Sequence, residues 1–292
     1  MNDFLDRTRP WESPAAGVLT IRGRRADRPG STLHFLSGNG FCGGVYWDFL
    51  KHFLPDHGLF LHDIAGQGES EIPPRFSGTG ALAARTLQVI GEQGLHDGRP
   101  LVGIGHSRGA AMTLKIAADN PGLFKAVVLL DPIILPAPLW WSWRLASVLG
   151  FNSMARSTRR RRSAWPSRDL AYAHLKGRGI FRGWSDAALD DFVDHAMKPQ
   201  DGQWILRCPL ELEAQIYEQP VYPWAAFRKI NVPVLFLYGD RSYSFFPWAV
   251  RVVRRVNAKV EIMTAPGQHC FMLEQPEASA AVVRRWLGAL PP

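Results

Sequence analysis

The alternation of short apolar runs with helical patterns is the feature that most constrains how this chain can fold. Runs typical of strands lie at Val18–Arg22, Leu33–Leu36, Gly58–His62, Pro100–Gly105 and Lys125–Leu130. Helical patterns lie between them at Gly44–Leu54, Ala81–Gln93 and Gly109–Asp119. Strands joined by crossover helices are typical of a mostly parallel sheet with helices on both faces. We therefore predict an α/β fold.

The alternation stops after residue 132 and resumes near residue 230. The intervening segment is rich in Trp, Pro and Arg, and it shows helical patches at Leu139–Leu149 and Asp186–Met197 but no recognisable strand. Strand patterns then return at Val232–Tyr238 and Lys259–Met263, with helices at Trp248–Val256 and Pro276–Leu287. We predict a core formed by residues 1–132 and 230–292 and an inserted helical lid, or cap, formed by residues 133–229.

Composition narrows the class of protein. Hydrophobic residues make up 46% of the 292 residues and charged residues 21%, as in ordinary globular proteins. The first 14 residues lack the apolar region of a secretory signal, and no apolar run approaches the roughly 20 residues of a membrane span. We expect a cytoplasmic protein without stable membrane insertion; the sequence leaves its oligomeric state open.

Charge and cysteine content argue against several other classes. The formal net charge is +8, but the arginines are scattered, and the one dense run, Arg159–Arg162, has no nucleic-acid-binding signature near it. That run is interpreted as a solvated face, with contact to an anion or a membrane surface as the alternative. The three cysteines form no C-x-x-C pair, so neither a zinc site nor a disulfide framework is indicated.

The strongest local motif is Gly105-His106-Ser107-Arg108-Gly109, which lies directly between a buried strand and a helix. In a G-x-S-x-G turn the serine occupies a sharp strand-to-helix bend, and the flanking glycines permit close approach of the backbone. The N-terminus of the following helix faces any negative charge that develops on a substrate. This context predicts that Ser107 is a nucleophile.

A general base for that serine is predicted at His269. It follows Pro266-Gly267-Gln268, in the loop between the last predicted strand and the last predicted helix. General-base catalysis requires an imidazole within hydrogen-bond reach of the hydroxyl, and the chain order Ser then His suits this arrangement.

A glycine turn after the strand Leu33–Leu36 predicts an oxyanion hole. Ser37-Gly38-Asn39-Gly40-Phe41-Cys42 would expose backbone N–H groups at the same edge of the sheet. We expect the N–H groups of Phe41 and Arg108 to stabilise a tetrahedral oxyanion. A plain glycine turn is the alternative.

Taken together, these motifs resemble those of the α/β-hydrolase superfamily, and in particular its lid-bearing serine hydrolases, over nearly the whole length of the chain. The segment Ser37–Phe41 resembles the H-G-F type oxyanion turn, with Asn39 in place of His. Asp63-Ile64-Ala65-Gly66-Gln67-Gly68-Glu69-Ser70 resembles the D-x-x-G-x-G-x-S loop. Gly267-Gln268-His269, followed by Glu274-Gln275-Pro276-Glu277, resembles the C-terminal His segment.

The acid is the point at which the sequence departs from the family pattern. The resemblance implies a carboxylate closing a G-x-x-D motif, but Gly239-Asp240-Arg241-Ser242 places Ser there. Two substitutes are available: Asp240 in the same turn, and Asp131 at the end of the strand before Pro132. We favour Asp131, because the carboxyl ends of parallel strands form the edge at which such sheets place their sites.

Aromatic residues of the predicted lid suggest an apolar substrate. Trp140, Trp141 and Trp143 lie beside the strand end that carries Asp131 and are expected to line the substrate pocket. The predicted function is hydrolysis of a carboxylic ester of a small to medium hydrophobic substrate through an acyl-serine intermediate, with no cofactor or metal. Cleavage of an amide, thioester or C–C bond, acyl transfer and a non-catalytic ligand-binding protein of the same fold are the alternatives.

Overall fold

The computed structural model describes residues 3–14, 19–96, 98 and 100–291. Its strands are β1 (Arg9–Ser13), β2 (Ile21–Ala26), β3 (Thr32–Leu36), β4 (Gly58–Asp63), β5 (Leu101–His106), β6 (Ala126–Leu130), β7 (Ala164–Trp165), β8 (Met197–Gln200), β9 (Gln203–Leu206), β10 (Val234–Gly239) and β11 (Val260–Ala265). Its helices are α1 (Asp3–Arg7), α2 (Trp47–Leu50), α3 (Thr79–Glu92), α4 (Arg108–Asp119), α5 (Ala137–Val148), α6 (Ser153–Arg159), α7 (Arg168–Leu175), α8 (Asp186–His195), α9 (Leu210–Glu218), α10 (Trp224–Lys229), α11 (Phe246–Val256), α12 (Phe271–Glu274) and α13 (Pro276–Gly288).

Eight strands form one sheet in the order β1-β2-β4-β3-β5-β6-β10-β11. From β4 to β11 all neighbouring strands are parallel, while β2 pairs antiparallel with both β1 and β4. The predicted mostly parallel sheet flanked by helices is therefore confirmed.

The central strands are buried on both faces. In β6, Ala126, Val128 and Leu130 contribute to the apolar cluster on one side of the sheet, and Val127 and Leu129 to the cluster on the other. Strands covered on both faces appear as continuous apolar runs, which is why this part of the chain was recognisable from its sequence.

Three local expectations differ from the structure. The strand predicted at Val18–Arg22 is found at β2, and Val18 lies outside the described residues. The edge strand β1 was not predicted, because three of its five side chains are exposed and its sequence carries little strand signal. The predicted helix Gly44–Leu54 is divided into a 3₁₀ turn, the short helix α2 and a second 3₁₀ turn.

The segment between β6 and β10 contains helices α5–α10, but it is not purely helical as the sequence suggested. It also holds a three-stranded antiparallel sheet in the order β7-β9-β8, in which Trp165 pairs with Trp204. Strands of two to four residues are too short to show an alternating pattern, so sequence periodicity could not reveal them.

This segment lies over the carboxyl edge of the larger sheet and contacts the turn that follows β3. A Cβ added to Gly44 would lie 2.6 Å from the ring of His195 in α8, and the backbone N–H of Asp48 donates to Asp191 at 3.3 Å. None of the helices among the described residues has both the length and the apolar character needed to cross a membrane.

Candidate active site

Ser107 occupies a strained turn between β5 and α4. Its φ of 55° is a left-handed value that a residue with a Cβ adopts at a cost, and such strain tends to occur at functional sites. The flanking glycines are sterically required: a Cβ at Gly105 would lie 2.5 Å from the backbone of Gly109, and one at Gly109 would lie 2.3 Å from the carbonyl oxygen of Leu36. The turn therefore holds the side chain of Ser107 above the end of its strand.

Three of the predicted residues meet at this edge of the sheet. The Nε2 atom of His269 lies 3.0 Å from Oγ of Ser107, and its Nδ1 atom lies 2.6 Å from Oδ1 of Asp131. Asp131 is fully buried, and Ser107 is 8% exposed. The separations of 162 and 138 residues between these partners are bridged because all three follow parallel strands of one sheet.

Asp131 is held by a complete set of donors. Its Oδ1 atom accepts a second hydrogen bond from the hydroxyl of Ser242 at 2.7 Å, and its Oδ2 atom accepts one from the N–H of Gly239 at 2.8 Å. These hydrogen bonds fix the orientation of the carboxyl group. Ser242 was missed as a functional residue, although its position in place of the usual acid was the available signal.

Asp240, the alternative acid, does not reach His269. Its Oδ1 atom accepts the N–H of Gly267 at 2.9 Å, and its side chain is 51% exposed and lies 3.6 Å from Arg241. Asp240 thus closes the turn between β10 and the loop that carries His269, as Asp side chains commonly do.

The glycine turn offers a different N–H from the one expected. The N–H of Phe41 donates to the carbonyl oxygen of Gly38 at 3.2 Å, so it is occupied within the turn. The buried Gln67 amide accepts the N–H of Gly40 at 3.0 Å when its oxygen faces that group. Among the hydrogen bonds of the described residues, the N–H groups of Asn39 and Arg108 have no acceptor, and both residues line a small cavity together with Ser107.

A buried chain of hydrogen bonds connects the glycine turn to the loop of His269. The N–H of Gly38 donates to the hydroxyl of Tyr46 at 3.1 Å, and that hydroxyl lies 2.7 Å from Nδ1 of His106. On the other side of the ring, Nε2 of His106 lies 3.0 Å from the carbonyl oxygen of His269. Because a carbonyl only accepts, Nε2 carries the proton and Nδ1 accepts from Tyr46.

Burial keeps the ring of His106 uncharged. Desolvation, together with the nearby His269, lowers the pKa of His106 well below its usual value. The neutral tautomer fixed by Tyr46 is therefore retained at neutral pH. Neither His106 nor Tyr46 was recognised from the sequence, since no motif identified their contact across 60 residues.

The loop between Asp63 and Ser70 holds the backbone that directly follows the glycine turn. The Oδ1 atom of Asp63 accepts the N–H of Gly43 at 2.8 Å, and Gly68 lies so close to this carboxyl that a Cβ would overlap it. Desolvation raises the pKa of Asp63 to about 7. The loop thus has a structural role, and it contributes no side chain to either of the cavities described below.

The side chain of Arg108 links the turn that carries Ser107 to the segment between β6 and β10. Its guanidinium donates to the carbonyl oxygens of Ile216 and Gln219 at the end of α9, at 3.3 and 3.1 Å, and to the hydroxyl of Thr79. A cation at the C-terminus of a helix is stabilised by the helix dipole. Burial nevertheless lowers the pKa of Arg108 to about 10.

Ser107 opens into a small apolar cavity of about 50 Å³. Its wall is formed by the aliphatic and aromatic side chains of Ala111, Ile133, Leu135, Trp143, Ile216 and Val221. Of the three tryptophans predicted to line the pocket, only Trp143 does so. The indole of Trp140 donates to Pro220 at 3.2 Å and packs on Tyr222, and Trp141 is 64% exposed on the outer face of α5.

His269 faces a second and much larger cavity of about 1020 Å³, between the core and the overlying helices. Asn39 and Tyr217 border both cavities, so the two spaces lie side by side. The large cavity is lined by five arginines, which are Arg156, Arg160, Arg161, Arg178 and Arg241. Glu213 is its one carboxylate-bearing residue among the described positions.

The sequence profile described as the Alpha/beta hydrolase family matches residues 35–282, which include Ser107, Asp131 and His269. The chain belongs to this family. The match extends across the segment between β6 and β10.

Two curated relatives are similar to this chain at modest identity. An abhydrolase domain-containing protein of Alternaria alternata is 31% identical over 234 residues, covering 65% of this chain and 83% of that protein. A type I acyl-CoA thioesterase of Penicillium brevicompactum is 38% identical over 101 residues, which is 33% of this chain and 21% of the thioesterase. The chain therefore matches only about a fifth of that relative's length.

Among solved structures, the fold of this chain is closely similar to that of E-2-(acetamidomethylene)succinate hydrolase. The TM-score is 0.80 at 19% identity, and the match covers 97% of this chain and 100% of the other. At that identity the likeness concerns the fold. Among the described residues, no group of three or more His, Cys, Asp or Glu side chains is arranged to hold a metal ion.

Proposed function

We propose that this protein is a serine hydrolase that cleaves a carboxylic ester or thioester through an acyl-Ser107 intermediate. The observation that carries the proposal is the continuous hydrogen-bonded array from Ser107 through His269 to Asp131, with distances of 3.0 and 2.6 Å. A hydroxyl, an imidazole and a buried carboxylate in this order form the arrangement that activates a serine for acyl transfer.

In the first step, His269 Nε2 accepts the proton of Ser107 as Oγ bonds to the carbonyl carbon of the substrate. The negative charge moves to the carbonyl oxygen, which the N–H groups of Asn39 and Arg108 stabilise. The bond to the leaving group then breaks, and the proton on Nε2 passes to the departing oxygen or sulfur. Asp131 accepts from Nδ1, which stabilises the transient imidazolium.

In the second step, water enters the space left by the leaving group. His269 removes a proton from the water, whose oxygen bonds to the acyl carbon, and Ser107 leaves with that proton restored to Oγ. The carboxylic acid is released and the enzyme returns to its starting state. Asn39 replaces Phe41 in this scheme because the N–H of Phe41 is occupied by Gly38.

The two cavities suggest how an ester would be oriented. The apolar cavity beside Ser107 suits a short hydrophobic acyl group, with Trp143 as part of its wall. We further propose that residues 133–229 act as a lid that excludes water from the reacting groups. The thioesterase and hydrolase names of the relatives support acyl chemistry and leave the choice between oxygen and sulfur open.

The proposal is tested with a fluorophosphonate probe and a series of p-nitrophenyl esters of increasing acyl length. Folded wild-type protein should form one adduct, located on Ser107 by mass spectrometry, and should hydrolyse the short esters fastest. Ser107→Ala should abolish both reactions, whereas Ser142→Ala, at an exposed serine of α5, should retain them. Absence of an adduct in folded wild-type protein would favour a ligand-binding protein without catalysis.

A further inference from the structure

The large cavity beside His269 carries more positive charge than its own carboxylates neutralise. Of the arginines in its wall, Arg161 is held by Glu213 at 2.6 Å, and Arg241 lies 3.6 and 3.9 Å from two acidic side chains, Asp240 and Glu274. Arg156, Arg160 and Arg178 line the same space. In the part of the chain that the structure describes, these three guanidinium groups have neither an ion pair nor a hydrogen bond.

Other arginines of the run Arg159–Arg162 do have partners. Arg159 pairs with Glu211 and Glu218 at 2.8 and 2.6 Å. Arg162 donates to the carbonyl oxygen of Ala164 and lies over the ring of Trp165. All four residues of the run are exposed, in agreement with its interpretation as a solvated face, but their contacts differ. Arg160 is the member that reaches the cavity without a carboxylate.

We propose that this cavity binds the phosphate groups of the leaving group, so that the substrate is an acyl ester or thioester of a phosphorylated alcohol or thiol. The inference rests on the proposed function, because it assigns the two sides of the scissile bond to the two cavities. Arg156, Arg160 and Arg178 supply the donors, and their planar guanidinium groups suit the oxygens of a phosphate.

The position of His269 identifies the large cavity as the leaving-group side. The general acid must protonate the departing atom, and the ring of His269 faces the large cavity while Ser107 opens into the small one. The acyl group therefore occupies about 50 Å³ of apolar space, and the leaving group extends into about 1020 Å³. Such a volume is at the upper end of the range for small-molecule sites and exceeds the needs of a simple alcohol.

Electrostatics favours phosphate over a single carboxylate at this site. Arg156, Arg160 and Arg178 are exposed to solvent, which screens their mutual repulsion, and a ligand with several negative charges can contact all three at once. One carboxylate would engage one guanidinium as a bidentate pair and leave two without a partner. A diphosphate or a set of separate phosphates supplies enough charge and acceptor oxygens for all three.

The kinetic test compares two acetyl thioesters that differ in phosphorylation, acetyl-pantetheine and acetyl-coenzyme A. We expect wild-type kcat/KM to be at least about tenfold higher for acetyl-coenzyme A, with the difference decreasing as salt is added. In the triple variant Arg156→Gln, Arg160→Gln, Arg178→Gln this ratio should fall to near one. Arg144→Gln, an exposed arginine of α5 outside the cavity, should keep the wild-type ratio.

A binding experiment separates this inference from the proposed function. Calorimetry with Ser107→Ala should show that coenzyme A binds more tightly than pantetheine, and that inorganic pyrophosphate competes with it better than succinate at equal ionic strength. Preference for succinate, or a wild-type kinetic ratio near one, would overturn the phosphate site even if esters are hydrolysed. Absence of Ser107 labelling and of all hydrolysis would instead overturn the proposed function. The binding result would still test whether the cavity binds phosphate groups.

Discussion

Replacing Asp131 by Asn tests the candidate site most directly, because the structure shows what the amide would encounter. Asp131 accepts hydrogen bonds from His269, Ser242 and Gly239. An Asn side chain has one oxygen for these donors. If the oxygen faces His269, the NH₂ group opposes the N–H of Gly239. If the NH₂ group faces His269, Nδ1 must become an acceptor.

The second orientation carries the larger cost for catalysis. With Nδ1 unprotonated, the proton of the neutral ring lies on Nε2 and points at Ser107, which then has no acceptor for its own proton. In both orientations the imidazolium also loses its negative partner. A loss of about 10⁴ in kcat is the known cost of such a change in a Ser-His-Asp array, and it corresponds to about 5.4 kcal/mol in the activation free energy.

The assay is steady-state hydrolysis of a short p-nitrophenyl ester, together with the rate of fluorophosphonate labelling and circular dichroism to verify folding. Asp240→Asn is the matched control. Its amide oxygen can keep the hydrogen bond from Gly267, so we expect kcat within about threefold of wild type. A folded Asp131→Asn protein that loses less than tenfold in kcat, or a greater loss in Asp240→Asn, would refute the assignment of the acid.

Three further changes test the surroundings of the site. Ser242→Ala should lower kcat about tenfold, since a hydrogen bond to a charged group contributes about 1.5 kcal/mol; unaltered steady-state kinetics would contradict this. Tyr46→Phe deprives His106 of its donor and should lower the free energy of unfolding in urea by about 1 to 3 kcal/mol, whereas an unchanged midpoint would argue against the buried chain. Burial lowers the pKa of His34 to about 3 and that of its neighbour His62 well below the usual 6.5, so the unfolded state binds protons that the native state does not. Between about pH 6.5 and 4, acidification should therefore cost stability, at up to about 1.4 kcal/mol per pH unit for His34 and with a further loss of the same sign from His62, and His34→Leu combined with His62→Leu should flatten that slope in pH-dependent unfolding.

The sequence was most informative where local patterns determine the structure. The buried strand β5, the glycine-flanked turn and the helix α4 follow one another within 19 residues, and steric limits on that turn leave few alternatives. The candidate positions of Ser107 and His269 could be predicted for the same reason, because each follows a recognisable strand. The other central strands could also be recognised, since each is an apolar run covered on both faces.

Features that depend on distant contacts could not be predicted in this way. Asp131 and Asp240 both follow strands, and only the folded chain shows that Ser242 donates to the first while Gly267 donates to the second. The choice of Asn39 over Phe41 depends on the direction of N–H groups within a turn, which residue identity does not determine. Likewise, the pattern of tryptophans did not distinguish Trp143, which lines the cavity, from its exposed neighbour.

The sheet sets the geometry of the candidate reacting groups, and in the proposed function the overlying segment selects the substrate. Ser107 and Asp131 both have positive φ values, and they follow adjacent strands whose ladder continues through them: Ser107 N–H donates to Leu130 and Asp131 N–H donates to Leu237, at 2.9 and 2.8 Å. Strained residues persist only where surrounding hydrogen bonds over-determine them, and the ladder supplies those bonds. Four of the five arginines of the large cavity lie in α6, directly after α6 or in the turn after α7, outside that ladder. Substitutions there should consequently change which leaving group is accepted, whereas substitutions along the strand ends should change the rate of acyl transfer for every substrate.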